Sequence, residues 1–376
     1  MTAHDELHPY LLSLISGQPT PESVAGVDWG QILREAVDHG LLWHLSNSEA
    51  PSPEIYEELK RKCLLVSARN LALAGELRLC LQALREARVE CAPIRGVALM
   101  ERVYGEIVAR PMGDIDMLVR RCELDALREV LSSLGYREMD RRPGFSEAFS
   151  YSLKFLVERS FTIVVEPHLS IAYPPALARL DMDAVWARCV PTAVVGEPAL
   201  SLCLEDTLLH LALHIAHRDH PPLVWLWELD WLVRAEADDA DWDLFVSSAR
   251  EIGVERIVGH VLAELESVLD TPIPAEAAGR LLSEEGQREG ALSQVMAELS
   301  EVREREGLAQ LLAIEGPGRK LRYLLGLLTP TREFMMQEYG LRSKIQLPWA
   351  YLRRGSSFAW EGAKGAARLA LSGRSH

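Results

Sequence analysis

The sequence lacks the features of a membrane-spanning or secreted protein. No uninterrupted apolar run approaches the roughly 20 residues that a helix needs to cross a bilayer. Residues 1–6 contain no basic segment followed by an apolar run, as a signal peptide would. We therefore expect a cytoplasmic protein without a membrane span.

Paired cysteine motifs are also missing. The six cysteines form no Cys-x-x-Cys pair, and most of them lie in apolar segments, where a free thiol behaves as a small hydrophobic side chain. This pattern predicts a reducing compartment and argues against a structural zinc site.

Basic residues are fewer than acidic ones. With 40 Lys and Arg against 55 Asp and Glu, the net charge is −15, so bulk binding to nucleic acid is not expected. The exception is residues 341–376, a basic aromatic tail with seven Lys or Arg, the single acid Glu361 and four aromatic residues. Such a tail can contact phosphates, a membrane surface or an acidic patch of the same fold. Packing of a terminal helix on the body is the plainer alternative.

The rest of the chain is typical of a globular protein. Its 376 residues, 48% hydrophobic and 25% charged, are enough for two or three domains. Helical spacing of apolar residues predicts an N-terminal helical segment over residues 1–88, which includes one long helix from Glu54 to about Arg88. Helical patterns return over residues 176–340.

In residues 89–175 the spacing of apolar residues changes. Short strand patterns occur near residues 89–94, 114–119, 136–139, 148–157 and 161–165, with helices predicted at 97–104 and 123–134. The fold class that follows is α+β: a small mixed β-sheet core over residues 89–175, flanked by N-terminal and C-terminal helical segments.

Two carboxylates begin the strand at residues 114–119. Side chains alternate along a strand, so Asp114 and Asp116 point to the same face. Two aspartates at a strand entrance can be turn formers only. They can equally hold a divalent cation, because Mg²⁺ prefers oxygen ligands and often binds one or two carboxylates together with substrate phosphates.

A third carboxylate, Glu166, lies at the end of another strand and shares a face with Val164 and His168. If the two strands are neighbours, Glu166 comes close to the aspartates. Three carboxylates suit two metal ions that hold a triphosphate and activate an attacking hydroxyl. Glu166 can also serve as the base.

The turn before the helix at residues 97–104 offers a phosphate site. Gly96 precedes the free N–H groups of a helix N-terminus, and Arg95 adds a planar cation suited to phosphate oxygens. An ordinary strand-to-helix turn is the alternative. Arg110 can contact the same phosphates, or form a salt bridge to Asp114 or Glu106.

Three histidines follow in the helical region. His210, His214 and His217 are spaced i, i+4 and i+7, on one side of a helix. Zinc binding, contact with a substrate and simple packing all remain open for them. The neighbouring Trp225 belongs to an apolar cluster but can also stack on a base.

Several blocks in order resemble the uncharacterised nucleotidyltransferase family of the DNA polymerase β superfamily. They are residues 93–99, 110–119, 134–136 and 165–168, and the similarity covers roughly residues 55–270. The resemblance implies a nucleotidyltransferase sheet, Mg²⁺ or Mn²⁺, and a nucleoside triphosphate. It implies catalytic and metal-binding roles for Asp114, Asp116 and Glu166. Our own prediction for the nucleotide-binding residues is Arg95, Gly96, Arg110 and His168.

The chain departs from this pattern at two positions. Arg95 stands where the family usually has Lys, and Val97 follows Gly96 where the superfamily usually has Ser. The predicted reaction is transfer of a nucleoside monophosphate from the triphosphate to a hydroxyl on a small molecule, a protein or an RNA end. The alternatives are a non-catalytic binding or regulatory protein that keeps the fold, and a γ-phosphoryl transferase that uses the same site.

Overall fold

The computed structural model describes residues 9–16, 28–48, 52–174, 176, 179–218, 220–282, 310–311, 314–341 and 343–357. Four helices come first: α1 (Pro9–Ser16), α2 (Trp29–Asp38), α3 (Leu42–Ser46) and α4 (Pro53–Glu86). The predicted long helix is confirmed as α4, which has 34 residues. It begins where the Ser52 hydroxyl accepts a hydrogen bond from the Ile55 N–H, as an N-cap residue does.

A five-stranded mixed sheet forms the centre of the molecule. Its strands are β1 (Cys91–Pro93), β2 (Ile115–Val119), β3 (Arg137–Glu138), β4 (Phe155–Glu158) and β5 (Thr162–His168), in the order β1-β2-β5-β4-β3. β2 and β5 are parallel, and the other neighbours are antiparallel. The predicted α+β class with a small mixed sheet is therefore confirmed.

Helices cover one face of this sheet. α5 (Val97–Tyr104) follows β1, and a 3-10 turn at Arg121–Glu123 leads into α6 (Leu124–Ser133). Apolar side chains of α4, α6, β2 and β5 form one core cluster, including Leu77, Leu127, Met117 and Val165, all of which are buried. The sheet is thus anchored to the long helix, and the polar ends of β2 and β5 are held in fixed positions.

The strand predicted over residues 148–157 is partly wrong. Its first residues belong to helix α7 (Phe145–Phe149), and only Phe155–Glu158 forms β4. The Asp140 carboxylate accepts hydrogen bonds from the N–H groups of Phe145 and Ser146, which stabilises the start of this short helix. Phe145 and Phe149 then both pack on Tyr323, so Phe149, the first aromatic residue of the apparent alternation, belongs to a helix.

The region predicted as purely helical contains a β-hairpin. β6 (Val190–Val194) and β7 (Glu197–Ser201) pair around Val195 and Gly196, both with positive φ. Such a two-residue turn matches the twist of a hairpin. Arg78 and Arg85 of α4 form salt bridges with Glu197, which holds the hairpin against the long helix.

The remaining elements are helices: α8 (Met182–Arg188), α9 (Leu204–Ala216), α10 (Leu223–Glu236), α11 (Trp242–Glu251), α12 (Glu255–Leu269), α13 (Ala275–Leu282), α14 (Pro317–Leu328), α15 (Arg332–Glu338) and α16 (347–357). Residues 283–309, within the region predicted as helical, lie outside the described residues. α1–α3 share one apolar cluster with α9–α13, through residues such as Leu11, Ile32, Leu229 and Leu265. Across the described residues, no helix is both long and apolar enough to span a bilayer.

Candidate active site

The parallel pairing of β2 and β5 brings the acidic residues together. Its register sets Asp116 opposite Glu166 and Leu118 opposite His168. The His168 Nε2 lies 2.9 Å from the Asp116 Oδ1. One ligand atom from each of Asp116, Glu166 and His168 lies within 4.8 Å of the other two. Two oxygens and one imidazole nitrogen at this spacing form a donor set that suits a divalent cation.

Asp114 lies at the entrance of the same strand. Its side chain lines the cavity described below but does not belong to the group of three ligand atoms. Burial and the neighbouring Asp116 raise the pKa of Asp114 to about 6. We call Asp114, Asp116 and Glu166 the carboxylate cluster.

Repulsion within the carboxylate cluster is not fully balanced. Burial, with the charges of Asp114 and Asp116, raises the pKa of Glu166 to about 7. Burial also disfavours the charge of Asp116. However, Arg95 and the hydrogen bond with His168 outweigh that effect and lower the pKa of Asp116 below its usual range. A further cation near Glu166 would relieve the remaining repulsion.

Arg95 points into the cluster from the end of β1. Its Nη2 lies 3.0 Å from the Asp116 Oδ1, and its Nη1 contacts the ring of His214. The Nε is buried and has no hydrogen-bond partner within the described part of the chain. Because only one carboxylate oxygen contacts this guanidinium directly, it does not neutralise the whole cluster.

Gly96 has a geometry that requires glycine. Its φ is +55°, a conformation that side chains disfavour, and an added Cβ would lie 3.3 Å from the Met112 Sδ. The residue is the N-cap of α5 and lines the cavity, so the first N–H groups of that helix lie at the site. Phosphate binding at this turn stays a prediction.

A polar cavity of about 410 Å³ contains these groups. Its sheet side carries the carboxylate cluster with Arg95 and Gly96, and its helical side carries residues of α9, α10 and the loop between them. The other polar and aromatic lining residues are Arg110, Tyr151, Lys154, Tyr173, His214, His217, Arg218 and Trp225. The volume falls within the usual range of about 300–1,000 Å³ for small-molecule sites.

Two cations of this cavity were missed by the sequence analysis. The Lys154 Nζ lies 4.0 Å from the Glu166 Oε1. Arg218 also lines the cavity, and both cations act to lower the pKa of Asp114. Lys154 precedes β4, which pairs with β5, so the strand order would have revealed it. No local motif marks Arg218.

Arg110 is buried, and its charge is matched elsewhere. Its Nε lies 2.7 Å from Glu228 Oε1, and its Nη2 donates a hydrogen bond of 2.7 Å to Oε2. The salt bridge considered from the sequence, to Asp114 or Glu106, is therefore replaced by one to Glu228. Contact with a ligand through Arg110 would have to compete with this bidentate pair.

The predicted histidines have different environments. His168 is fully buried beside Asp116 and does not line the cavity. His210 is also buried, and its Nδ1 lies 2.8 Å from the Ile171 carbonyl oxygen. His214 lines the cavity, where burial and then Arg95 lower its pKa and favour a neutral ring. Within the described residues, none of the α9 histidines belongs to a group able to hold a metal.

Comparisons with known proteins agree with the resemblance found in the sequence. The profile of a family described as an uncharacterised nucleotidyltransferase matches residues 25–270. No curated protein sequence matches the chain significantly. The chain is similar to the solution structure of the antibiotic-resistance factor ANT(2'')-Ia, with 14% sequence identity and a TM-score of 0.31, over 61% of this chain and 99% of that one. The profile match covers most of the chain, which therefore belongs to the uncharacterised nucleotidyltransferase family.

Proposed function

We propose that this protein is a metal-dependent nucleotidyltransferase that moves a nucleoside monophosphate from a triphosphate to a hydroxyl acceptor. The observation that carries the proposal is the pairing of β2 with β5. It puts Asp116 beside Glu166 in a cavity that is also lined by four cationic side chains, those of Arg95, Arg110, Lys154 and Arg218, and by a helix N-terminus. Membership of the family supports nucleotidyl transfer in general.

The carboxylate cluster fits a hard divalent cation such as Mg²⁺ or Mn²⁺. Asp116 and Glu166 supply oxygen ligands, and Asp114 adds negative charge at the cavity wall. His168 already uses Nε2 in its contact with Asp116, so its role is to orient that carboxylate. When bound, the cation neutralises phosphate charge and lowers the pKa of the acceptor hydroxyl.

The opposite charges of the cavity suit the triphosphate. Arg95, Lys154 and Arg218 line it together with Gly96, at the N-terminus of α5. Positive side chains and free N–H groups bind phosphate oxygens and compensate the charge of the transferring group. Positioning and charge neutralisation are the main requirements of phosphoryl transfer, and this set of residues supplies both.

Glu166 has the properties of a general base. Its carboxylate lies at the cavity beside Asp116, within reach of a bound acceptor. In the proposed reaction it accepts the proton of the acceptor hydroxyl. The hydroxyl oxygen then bonds to the α-phosphorus, and the bond to the β-phosphate oxygen breaks to release pyrophosphate. The helical wall with His214, His217 and Trp225 is the place for the acceptor or the base.

The test uses each of the four ribonucleoside triphosphates labelled at the α-phosphorus. The full chain is incubated with Mg²⁺ or Mn²⁺ and host lysate, beside the Asp114→Asn and Asp116→Asn variants. Label that reaches an acceptor only with the wild type, with release of pyrophosphate, supports the proposal and identifies the acceptor.

The same experiment with label at the γ-phosphorus separates the alternatives. Transfer of the γ-label with release of a nucleoside diphosphate would replace the proposal by γ-phosphoryl transfer. Absence of transfer from either position, together with the absence of a metal-dependent shift in thermal midpoint with any triphosphate, would leave a non-catalytic binding protein.

A further inference from the structure

The C-terminal helices differ in charge from the rest of the molecule. Residues 310–357 contain eight Lys or Arg against three Glu, in a chain whose net charge is −15. We call α14, α15, the 3-10 turn Lys344–Gln346 and α16 the C-terminal cluster. A positive segment on an acidic protein is suited to a partner with negative charge.

The inner face of α16 packs on the other elements of this cluster. Leu347 and Ala350 are buried with Met335 of α15. The Tyr351 hydroxyl donates to the Pro330 carbonyl oxygen at 2.7 Å, and the Arg354 Nε donates to the Leu327 carbonyl oxygen at 2.6 Å. These contacts fix the orientation of α16, so its other face must point away from the cluster.

The outer face of α16 and the turn before it is apolar. Ile345, Trp349 and Leu352 are 85%, 76% and 65% exposed. Their spacing of four and three residues puts them on one side of the helix. α14 repeats the pattern with exposed Leu321, Leu325 and Leu328. Large apolar side chains that are exposed side by side mark an interaction surface.

Basic side chains accompany both apolar stripes. Lys344 and Arg353 are exposed beside the stripe of α16, and Arg319 and Arg322 are exposed on α14. The sequence after residue 357 has the same composition, with Lys364, Arg368 and Arg374 against one acid and with further aromatic and leucine residues. Trp and aliphatic side chains flanked by Lys and Arg are typical of helices that lie at a lipid–water interface.

Packing of a terminal helix, the plainer alternative for the tail, explains only one face of α16. Packing on α14 and α15 buries Leu347, Ala350 and Arg354. It leaves Ile345, Trp349 and Leu352 in solvent. The apolar side chains of Ile345, Trp349 and Leu352 are exposed on α16 and its preceding turn. An extended lipid surface can contact such a stripe and its basic flanks together.

We propose that the C-terminal cluster docks this protein on an anionic membrane surface. Ile345, Trp349 and Leu352 enter the interfacial layer, and Lys344 and Arg353 contact lipid phosphates. This is peripheral binding through one helical face, and it is independent of the proposed nucleotidyl transfer. The attraction of basic side chains to anionic lipid adds to apolar insertion, so binding should require both.

The test is co-sedimentation of the full-length protein with sucrose-loaded vesicles. Vesicles of phosphatidylcholine alone are compared with vesicles containing roughly 30% phosphatidylglycerol, at low and at physiological salt. The proposal expects binding to the anionic vesicles. The double variant Trp349→Ser, Leu352→Ser should lower the partition coefficient by at least about tenfold. The double variant Lys344→Glu, Arg353→Glu should lower it similarly, most strongly at low salt.

A matched control separates insertion from general stickiness. Leu64 on α4 is 63% exposed, close to the value for Leu352. The variant Leu64→Ser should bind anionic vesicles as the wild type does. Each variant is accepted when its thermal midpoint matches the wild type, and Leu321→Ser with Leu325→Ser provides a second test of the surface.

Three results would overturn the proposal. They are equal binding to neutral and anionic vesicles, unchanged binding of both double variants, and no binding of the wild type. Size-exclusion chromatography with light scattering is run in parallel. A wild-type oligomer that becomes a monomer in Trp349→Ser, Leu352→Ser, without any vesicle binding, would assign the face to a second copy of the chain instead.

Discussion

Two arginines that line the same cavity have opposite surroundings. Arg110 forms two contacts of 2.7 Å with the carboxylate of Glu228, which also accepts a hydrogen bond from the Tyr104 hydroxyl. Arg95 faces the carboxylate cluster, and among the described ion pairs it contacts one oxygen of that cluster, the Asp116 Oδ1. One site pairs one cation with one anion. The other gathers three acids around Arg95, with the half-exposed Lys154 4.0 Å from Glu166.

The comparison distinguishes the Arg110–Glu228 pair, whose charges stabilise the fold, from the carboxylate cluster, whose charges are suited to a ligand. In the carboxylate cluster, burial and mutual repulsion raise the pKa of Asp114 to about 6 and that of Glu166 to about 7. Ordinary stability would not favour three acids at this spacing. Such local conflict is expected where a metal or substrate completes the charge balance.

The largest effect is expected from Asp116→Asn. Asn keeps a hydrogen-bond acceptor for His168 but removes the charge that pairs with Arg95 and holds the cation. We expect label transfer to fall by at least about 10³-fold, as for loss of a main charge-stabilising group. The measurement is the initial rate with α-labelled triphosphate, and circular dichroism checks that the variant is folded. A variant that keeps a tenth of the wild-type rate would contradict the assignment of Asp116.

Breaking the balanced pair should affect the free energy of unfolding instead. Arg110→Met leaves Glu228 buried without its cation, and loss of one partner of a buried pair costs about 3–5 kcal/mol. Urea denaturation measures the change. The double variant Arg110→Met, Glu228→Gln removes both charges and keeps an acceptor for the Tyr104 hydroxyl, so it should recover more than half of that loss. Equal losses in the single and double variants would show that packing, and not charge, is responsible.

The unbalanced site should become more stable when one acid is neutralised. Burial and the neighbouring acids raise the pKa of Glu166 from 4.5 to about 7, so the unfolded chain releases this proton first as the pH rises. The wild type therefore loses stability between pH 4.5 and 7, and Glu166→Gln avoids that loss. We expect the variant to be more stable at pH 8 by up to about 3 kcal/mol, and unchanged near pH 4.

The measurement for Glu166→Gln is the difference in urea midpoint between variant and wild type across this pH range, in metal-free buffer. Glu158→Gln, at the exposed end of β4, is the control and should show no such trend. A difference that is constant with pH would mean that Glu166 does not titrate as proposed.

The sequence predicted the elements that build the site better than those that surround it. Asp114, Asp116 and Glu166 follow from strand alternation, and α5 was predicted with the bounds that it has. Alternation over residues 148–157 predicted only the end of that segment correctly, because Ala148 and Phe149 close helix α7 and strand β4 begins at Phe155. The hairpin of β6 and β7 was missed because its turn, Val195-Gly196, needs a positive φ at Val195, which valine rarely adopts.

Long-range pairing explains the rest of what was missed. Glu228 lies 118 positions after Arg110, and Arg218 lies on a loop beyond α9, so no local pattern connects them with the site. A local sequence pattern predicts on which face of a helix or strand a residue lies. Its ion-pair partner depends on how whole helices pack, which such a pattern does not show. The division of the chain at residues 88, 175 and 340 stays a prediction.

The smallest effect is expected at Lys154, on the solvent side of the carboxylate cluster. Its side chain is 45% exposed and its Nζ lies 4.0 Å from Glu166, so its charge is screened by water and contributes little to stability. We expect Lys154 to act by contacting the proposed triphosphate.

Loss of one half-exposed contact to a phosphate corresponds to about 1 kcal/mol, so Lys154→Met should raise the KM for the triphosphate by about fivefold. Lys154→Arg keeps the charge and should stay close to the wild type, and added salt should narrow the gap between the two variants. A fall in kcat at unchanged KM would instead show that Lys154 acts on the reacting carboxylates. Lys154 would then belong with Arg95, which serves the carboxylate cluster, and not with Arg110, which is paired with Glu228.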